Sequence, residues 1–289
     1  QDQDENEMRY LRLAALVEEN LDMDALFKIG QTSRQVAQVS SFLSNSIIPP
    51  PILQPEPSTT CCRIGIAQDE AFCFYYRDNL HLLRLAGAEL VPFSPLTSSH
   101  LPPALDALYI GGGYPELHAQ KLQENETLRK DIQSFSQAGG AVFAECGGLM
   151  YLSNKLLLSK AETYNMCGVI PISTRMTPHC KMYYASIEFT SQNPLFPSGG
   201  AHCRGQLFHF SEIVEEGAEN EISSPFMVTP QLPGANPEPA GIVVYNTFAS
   251  YLHLHFASFV DKGKSDASGN YNAGSFKTKT LADYFIQKA

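Results

Sequence analysis

The run Ala144-Glu145-Cys146-Gly147-Gly148 is where the sequence first offers chemistry. An apolar strand-like stretch, Ala141 to Ala144, ends at a cysteine; two glycines follow, and Leu149-Met150-Tyr151 opens a helix. That order is the strand–turn–helix arrangement of a nucleophile elbow. The glycines allow a tight turn and close passage of neighbouring backbone. A thiol placed there sits at a helix N-terminus, where the dipole favours the thiolate and predicts a lowered pKa. The next backbone N–H, that of Gly147, is placed to donate to an oxyanion. The plainer alternative is a buried cysteine closing a core strand, a common fate for free cysteine. The flanking pattern argues for the nucleophile.

Two further groupings could serve such a thiol. Gly111-Gly112-Gly113-Tyr114-Pro115-Glu116 follows a strand-like run and exposes backbone N–H groups where ligands bind in parallel sheets. It lacks both the Lys-Ser/Thr of a P-loop and the GxGxxG order, which leaves an oxyanion loop or a simple turn. Gly263-Lys264-Ser265 also has no upstream glycine at P-loop spacing. Ser250 to Phe256 holds His253 and His255, two residues apart and on one face if extended. A cysteine hydrolase needs a base that takes the thiol proton and later returns it to the leaving group. His179, His202 and His209 are rival bases, and His-x-His is also a metal-ligand spacing. No carboxylate or third histidine stands near that pair, so no metal site is expected.

The elements that must position these residues alternate between strand and helix. Arg63 to Ala67, Glu89 to Phe93, Ala107 to Ile110 and Ala141 to Ala144 read as buried strands. Pro92 favours an edge or strand end. Asp78 to Ala86, stopped by Gly87, and the segment carrying Leu128, Ile132 and Phe135, stopped at Gly139-Gly140, read as the intervening helices. The expected fold class is α/β, a three-layer, doubly wound and mostly parallel sheet. Beyond Tyr164 the texture changes to short strands, Tyr183 to Thr190 and Gly241 to Tyr245 among them, expected to extend the sheet and close over the site. Thr280 to Lys288 reads as a last helix, and Gly263 to Ser275 as a flexible loop.

Residues 8 to 30 read as two helices, the second starting near Asp22, and prolines 49–51, 55 and 57 mark a linker. Two small helices bury no core of their own. The expected division is therefore 1–61, the tail of another domain with its linker, and 62–289, the domain carrying Cys146. The chain starts at Gln1, as a fragment or trimmed product would. With 20 Lys and Arg against 30 Asp and Glu, the net charge of −10 disfavours nucleic acid and anionic membranes. No apolar run approaches the ~20 residues of a membrane span, and the acidic N-terminus is unlike a signal peptide. Seven cysteines without a CxxC pair fit reduced, mostly buried thiols in a cytoplasmic protein.

Three motifs, Gln68 to Tyr76, Tyr109 to Leu117 and Ala144 to Tyr151, resemble the glutamine amidotransferase half of cobyrinate a,c-diamide synthases. Asn193-Pro194-Leu195, Arg204 to Ser211 and Ala249 to Ser258 are similar to later motifs of that family, in the same order. The resemblance spans about residues 62 to 260, and Met8 to Gly30 resembles the close of the family's ATP-binding domain. It implies the flavodoxin-like class I glutamine amidotransferase fold. The implied activity is hydrolysis of L-glutamine to pass ammonia to a synthetase half, which uses ATP and Mg²⁺ to amidate the a and c carboxylates of a corrinoid. Residue by residue, Cys146 matches the nucleophile and His253 the activating histidine; Gly112, Gly113 and Gly147 would make oxyanion contacts.

Three departures from the family pattern bear on this. The P-loop domain is absent, so no cofactor is expected in this chain, and an ATP-binding domain or subunit is the expected partner. His255 stands where many class I amidotransferases carry the acid of the triad, which implies a Cys–His dyad. Gln206-Leu207 replaces the usual His-Glu before Phe208-His209. The alternatives are a nickel-sirohydrochlorin or hydrogenobyrinate a,c-diamide synthase, a cysteine hydrolase on the same fold, and an inactive partner-binding module.

Overall fold

The computed structural model describes residues 2–31, 60–190, 195–196, 201–215, 224–260 and 280–289. The proline-marked linker and the expected loop over 263–275 lie outside the described residues. The chain divides into two compact units, Gln1–Glu56 and Pro57–Ala289. In the first, helix α1 (Asp2–Asn20) starts earlier than its apolar spacing predicted. A second helix follows over residues 23–31, its start capped by the Asp22 carboxylate, which accepts from the Ala25 N–H at 2.9 Å. Leu13, Leu16 and Val17 of α1 are exposed.

The second unit is built on a six-stranded sheet. Its strands are β1 (Cys62–Ala67), β2 (Ala88–Phe93), β3 (Ala107–Ile110), β4 (Ala141–Glu145), β11 (Ile242–Val244) and β12 (Thr247–Ser250), in the order β11-β12-β4-β3-β1-β2. All neighbours are parallel except β11, which runs antiparallel to β12. The order 2-1-3-4 followed by a fifth parallel strand is the flavodoxin-like winding. Every residue of β3 and β4 is buried, so both faces of the sheet are covered, as a parallel sheet requires. Pro92 lies in β2, which pairs only with β1 and is the sheet edge, where a missing N–H breaks no ladder.

Helix α2 (Arg77–Leu85) connects β1 to β2, α3 (Ala119–Glu124) and α4 (Glu126–Gln137) connect β3 to β4, and α5 (Gly147–Leu152) follows β4. α4 buries Leu128 and Ile132, one turn apart, and ends before Gly139, whose φ of +90° suits glycine. The closing helix α6 (Leu281–Ile286) begins with a capping box between Thr280 and Asp283.

The strands after Tyr164 depart from the expectation. Gly241 to Tyr245 does extend the first sheet, as β11, but Tyr183 to Thr190 belongs to a second sheet. That sheet contains β5 (Lys155–Leu157), β6 (Thr163–Asn165), β7 (Ile172–Phe189), β8 (His202–Glu215), β9 (Phe226–Pro230), β10 (Glu238–Ala240) and β13 (Leu252–Val260). β7 and β8 pair antiparallel over most of their length, with a register shift between Met176 and Lys181. Antiparallel pairing needs no helical crossover, so these strands form a separate mixed sheet instead of lengthening the parallel one.

Candidate active site

Three strand ends converge at one edge of the parallel sheet: β3 runs into Gly111-Gly112-Gly113, β4 into Cys146, and β12 through Tyr251 into β13. The Cys146 N–H donates to the Ser250 carbonyl at 2.7 Å, tying the exits of β4 and β12 together. Cys146 adopts φ +50°, ψ −102°, a left-handed conformation for a residue with a Cβ, which costs on the order of 1–3 kcal/mol. Helix α5 then starts at Gly147, and the Met150 N–H returns to the Cys146 carbonyl at 3.2 Å. A Cβ on Gly148 would collide with the Ile110 carbonyl oxygen at the end of β3. The second glycine is therefore required by close approach of backbone, as the sequence spacing implied.

Cys146, His253, Gly113, Glu116, Gln206 and His209 line one pocket of about 160 Å³. That is below the ~300–1,000 Å³ of drug-sized sites and suits an amino-acid-sized ligand. β8 of the second sheet supplies one wall. Burial pushes the Cys146 thiol up to about 12; the Gly147 N–H opposes this, and the Glu116 and Glu145 charges add to it. This reverses the expectation of a lowered pKa: α5 has only six residues, and its dipole does not offset desolvation of a thiolate. Burial pushes His253 down to about 4, with His209 acting in the same direction. The resting pair is a neutral thiol and a neutral imidazole.

His253 and His255 do share a face of β13, pairing with Gln206 and Arg204 of β8, but only His253 lines the pocket. Its ring stands edge-on to Phe74, centroids 4.6 Å apart, and packs where a Gly112 side chain would be. His255 is half-exposed, 3.6 Å from Asp78, with its ring tilted against that of Tyr76. Of the rival bases, His179 is exposed and His202 opens β8; neither lines the pocket. His209 does. Its Nδ1 is 2.7 Å from the Ser211 carbonyl, so that nitrogen carries the proton and Nε2 the lone pair. Its ring lies flat on Tyr251 at 3.8 Å, and burial pushes its pKa down to about 4.

The three glycines separate. The Gly112 N–H donates to the Phe74 carbonyl at 3.1 Å and the Gly111 N–H to the Tyr75 hydroxyl at 2.8 Å. In this structure the Gly112 N–H is therefore engaged, and the missing side chain makes room for the His253 ring. Gly113 and Gly147 approach closely: a Cβ on Gly147 would lie 3.1 Å from the Gly113 nitrogen.

The sequence reading overlooked Glu145 as a site residue. It is 1% exposed, accepts from the Tyr109 hydroxyl and the Leu254 N–H at 2.7 Å each, and has Oε2 4.0 Å from His253 Nδ1. Burial raises its pKa to about 8 against those two donors. The available signal was a carboxylate ending an otherwise apolar core strand, since a buried carboxylate demands partners. Gln206 lines the pocket and Leu207 is buried, so the departure from the family's His-Glu changes one pocket wall and one core position.

Among the described residues no group of three or more His, Cys, Asp or Glu is placed to hold a metal ion. With the Gly111 and Gly112 N–H groups engaged, the glycine loop is not a phosphate cradle either. No helix among the described residues is long and apolar enough to cross a membrane. Their seven cysteines are all free; of the six other than Cys146, Cys62, Cys167 and Cys203 are buried and Cys61, Cys73 and Cys180 exposed.

Residues 63–260 match the model of the CobB/CobQ-like glutamine amidotransferase domain. The chain is 39% identical to the cobyrinate a,c-diamide synthase of Syntrophotalea carbinolica over 247 residues, 85% of this chain and 51% of that protein. It is 36% identical to the enzyme of the same name from Methanosarcina acetivorans over 281 residues, 92% of this chain and 54% of that one. The structure of PurLQS from Thermotoga maritima aligns with TM-score 0.45 at 14% identity, covering 67% of this chain and 87% of that one. The chain spans about half the length of the curated relatives it matches. Over the unit that carries Cys146, this chain belongs to the CobB/CobQ-like glutamine amidotransferase domain family.

Proposed function

We propose that the chain is the glutamine amidotransferase part of a cobyrinate a,c-diamide synthase, releasing ammonia from L-glutamine for ATP-dependent amidation of the a and c carboxylates of a corrinoid. One observation carries this reading: a left-handed Cys146 at a strand–helix turn opens on a small pocket that His253 also lines. Cys146 attacks the side-chain amide carbon while His253 takes the thiol proton and returns it to the departing ammonia. The N–H groups of Gly113 and Gly147 stabilise the oxyanion. Water, activated by the same imidazole, then hydrolyses the thioester to glutamate.

Glu116 is the one carboxylate among the pocket-lining residues, which include no lysine or arginine. A site of that charge favours the α-ammonium of an amino acid. Glu116→Gln is expected to raise KM for glutamine about tenfold with kcat retained, checked by initial-rate kinetics. The synthetase chemistry, with its ATP and Mg²⁺, belongs to a partner domain. We assign residues 1–61 as that domain's end with its linker, and the exposed Leu13, Leu16 and Val17 of α1 are a face for packing on the remainder.

The test is labelling with 6-diazo-5-oxonorleucine, a thiol-alkylating glutamine analogue, followed by peptide mapping. Modification of Cys146, with loss of glutamate release in Cys146→Ala, supports the reading. Modification at Cys73 alone, or peptide turnover in place of glutamine turnover, sinks it. Supplying the ATP-binding domain with cobyrinate, hydrogenobyrinate or nickel-sirohydrochlorin separates the tetrapyrrole alternatives by which one gains amides.

A further inference from the structure

Nδ1 of His253 is buried and makes no hydrogen bond among the described residues. An orphaned buried nitrogen carries an uncompensated desolvation penalty. Oε2 of Glu145 stands 4.0 Å away, and both side chains are almost fully enclosed, at 5% and 1% exposed. The carboxyl itself is held on both oxygens. Tyr109 donates to Oε2 and the N–H of Leu254, the residue after His253, donates to Oε1, each at 2.7 Å. Asn79 continues the clamp: its amide donates to the Leu254 carbonyl at 2.7 Å and accepts from the Phe256 N–H at 2.9 Å. The strand bearing His253 is thus registered against the residue that immediately precedes the nucleophile.

We propose that Glu145 is the positioning residue of His253, supplying from β4 the acid that the sequence lacks at position 255. In the reacting complex the imidazole closes by about 1 Å to bring its Nδ1–H within hydrogen-bond range of Oε2, a tightening that resting enzymes commonly leave to substrate binding. That bond fixes the proton on Nδ1 and leaves Nε2 as the base. As the Cys146 S–H bond breaks and Nε2–H forms, the sulfur electron pair goes to the amide carbon, and the Glu145 carboxylate balances the new imidazolium charge. The proton on Nε2 then leaves with ammonia. The carboxylate must have shed its own proton first, and burial holds that proton until about pH 8.

This inference rests on the glutaminase reading, and its test separates the two. Glu145→Gln keeps an oxygen for the Leu254 N–H and nearly the same volume, but carries no charge. With 6-diazo-5-oxonorleucine, the maximal inactivation rate is expected to fall about 10²–10⁴-fold, the upper end being the loss seen when a triad acid is removed. The inhibitor's binding constant should change less than threefold, and the rise of the rate between pH 6 and 8.5 should flatten. Nitrogen-15 NMR of the histidines above pH 8, where the Glu145 carboxyl is ionised, needs no turnover and should show His253 with its proton on Nδ1 in the wild type and redistributed in the variant. An inactivation rate within threefold of wild type, with the pH profile and tautomer unchanged, overturns the proposal. A wild-type protein that the inhibitor never labels overturns the glutaminase reading, while the tautomer comparison still decides whether Glu145 orients His253.

Discussion

Cys146 and His253 line one pocket as a neutral thiol and a neutral imidazole, because burial penalises the charged form of each. A preformed thiolate–imidazolium pair would react with iodoacetamide at a rate that levels off near neutral pH. Here the Cys146 rate is expected to climb steadily past pH 9, read by mass spectrometry peptide by peptide because the exposed Cys73 shares the pocket. A plateau below pH 8 would contradict the neutral pair. The two pocket histidines also part company. His253 sits on the glycine loop against Phe74, whereas His209 is stacked on Tyr251 with Nδ1 bonded to Ser211. His253→Asn should lower kcat for glutamate release by about 10²–10⁴-fold, the usual range for a general base. His209→Asn should cost less than tenfold, and the reverse ranking would transfer the role of base.

At the level of elements, the site depends on how closely three strand ends can approach and on what holds β13 to them. Gly148 faces the Ile110 carbonyl with no room for a methyl group. Gly148→Ala should force α5 away from β3 and abolish Cys146 labelling by the glutamine analogue. Retained labelling at the wild-type rate would refute that. Asn79 reaches from α2 to both a carbonyl and an N–H of β13. Asn79→Ala strands two buried backbone groups at about 1–3 kcal/mol each, so the urea midpoint should drop and kcat fall with it. A loss of under about 0.5 kcal/mol would show that water replaces the amide.

For the whole molecule, the buried titratable groups give stability a definite pH dependence. Glu145 has its pKa raised from 4.5 to about 8 in the folded state, so the folded form holds the proton more tightly. Its contribution is complete below pH 4.5 and is lost as pH rises to 8. His209 and His253 are lowered from 6.5 to about 4; they destabilise the fold at low pH and cease to do so above 6.5. From these three groups, thermal stability should rise from pH 4, peak near 6.5 and decline towards 8. Calorimetry should show the decline abolished in Glu145→Gln; a decline of equal slope in that variant would place its origin elsewhere.

The sequence by itself determined the parallel sheet and the elbow at Cys146, while His253 stood among several candidate bases until the family motif was matched. Sheet and elbow are local patterns: apolar runs such as Ala107 to Ile110, glycines at turns, a cysteine between strand and helix. Pro92 marked the edge strand and Thr280 the last helix for the same reason. Tertiary structure decided what depends on residues far apart in the chain. It placed Tyr183 to Thr190 in a second sheet that walls the pocket, put His209 beside His253, engaged the Gly112 N–H with Phe74, and raised rather than lowered the Cys146 pKa. It also set Glu145 of β4 against His253 of β13. Desolvation and hydrogen-bond partnership are properties of an enclosed volume, and no spacing along the chain encodes them until the strands that enclose it have met.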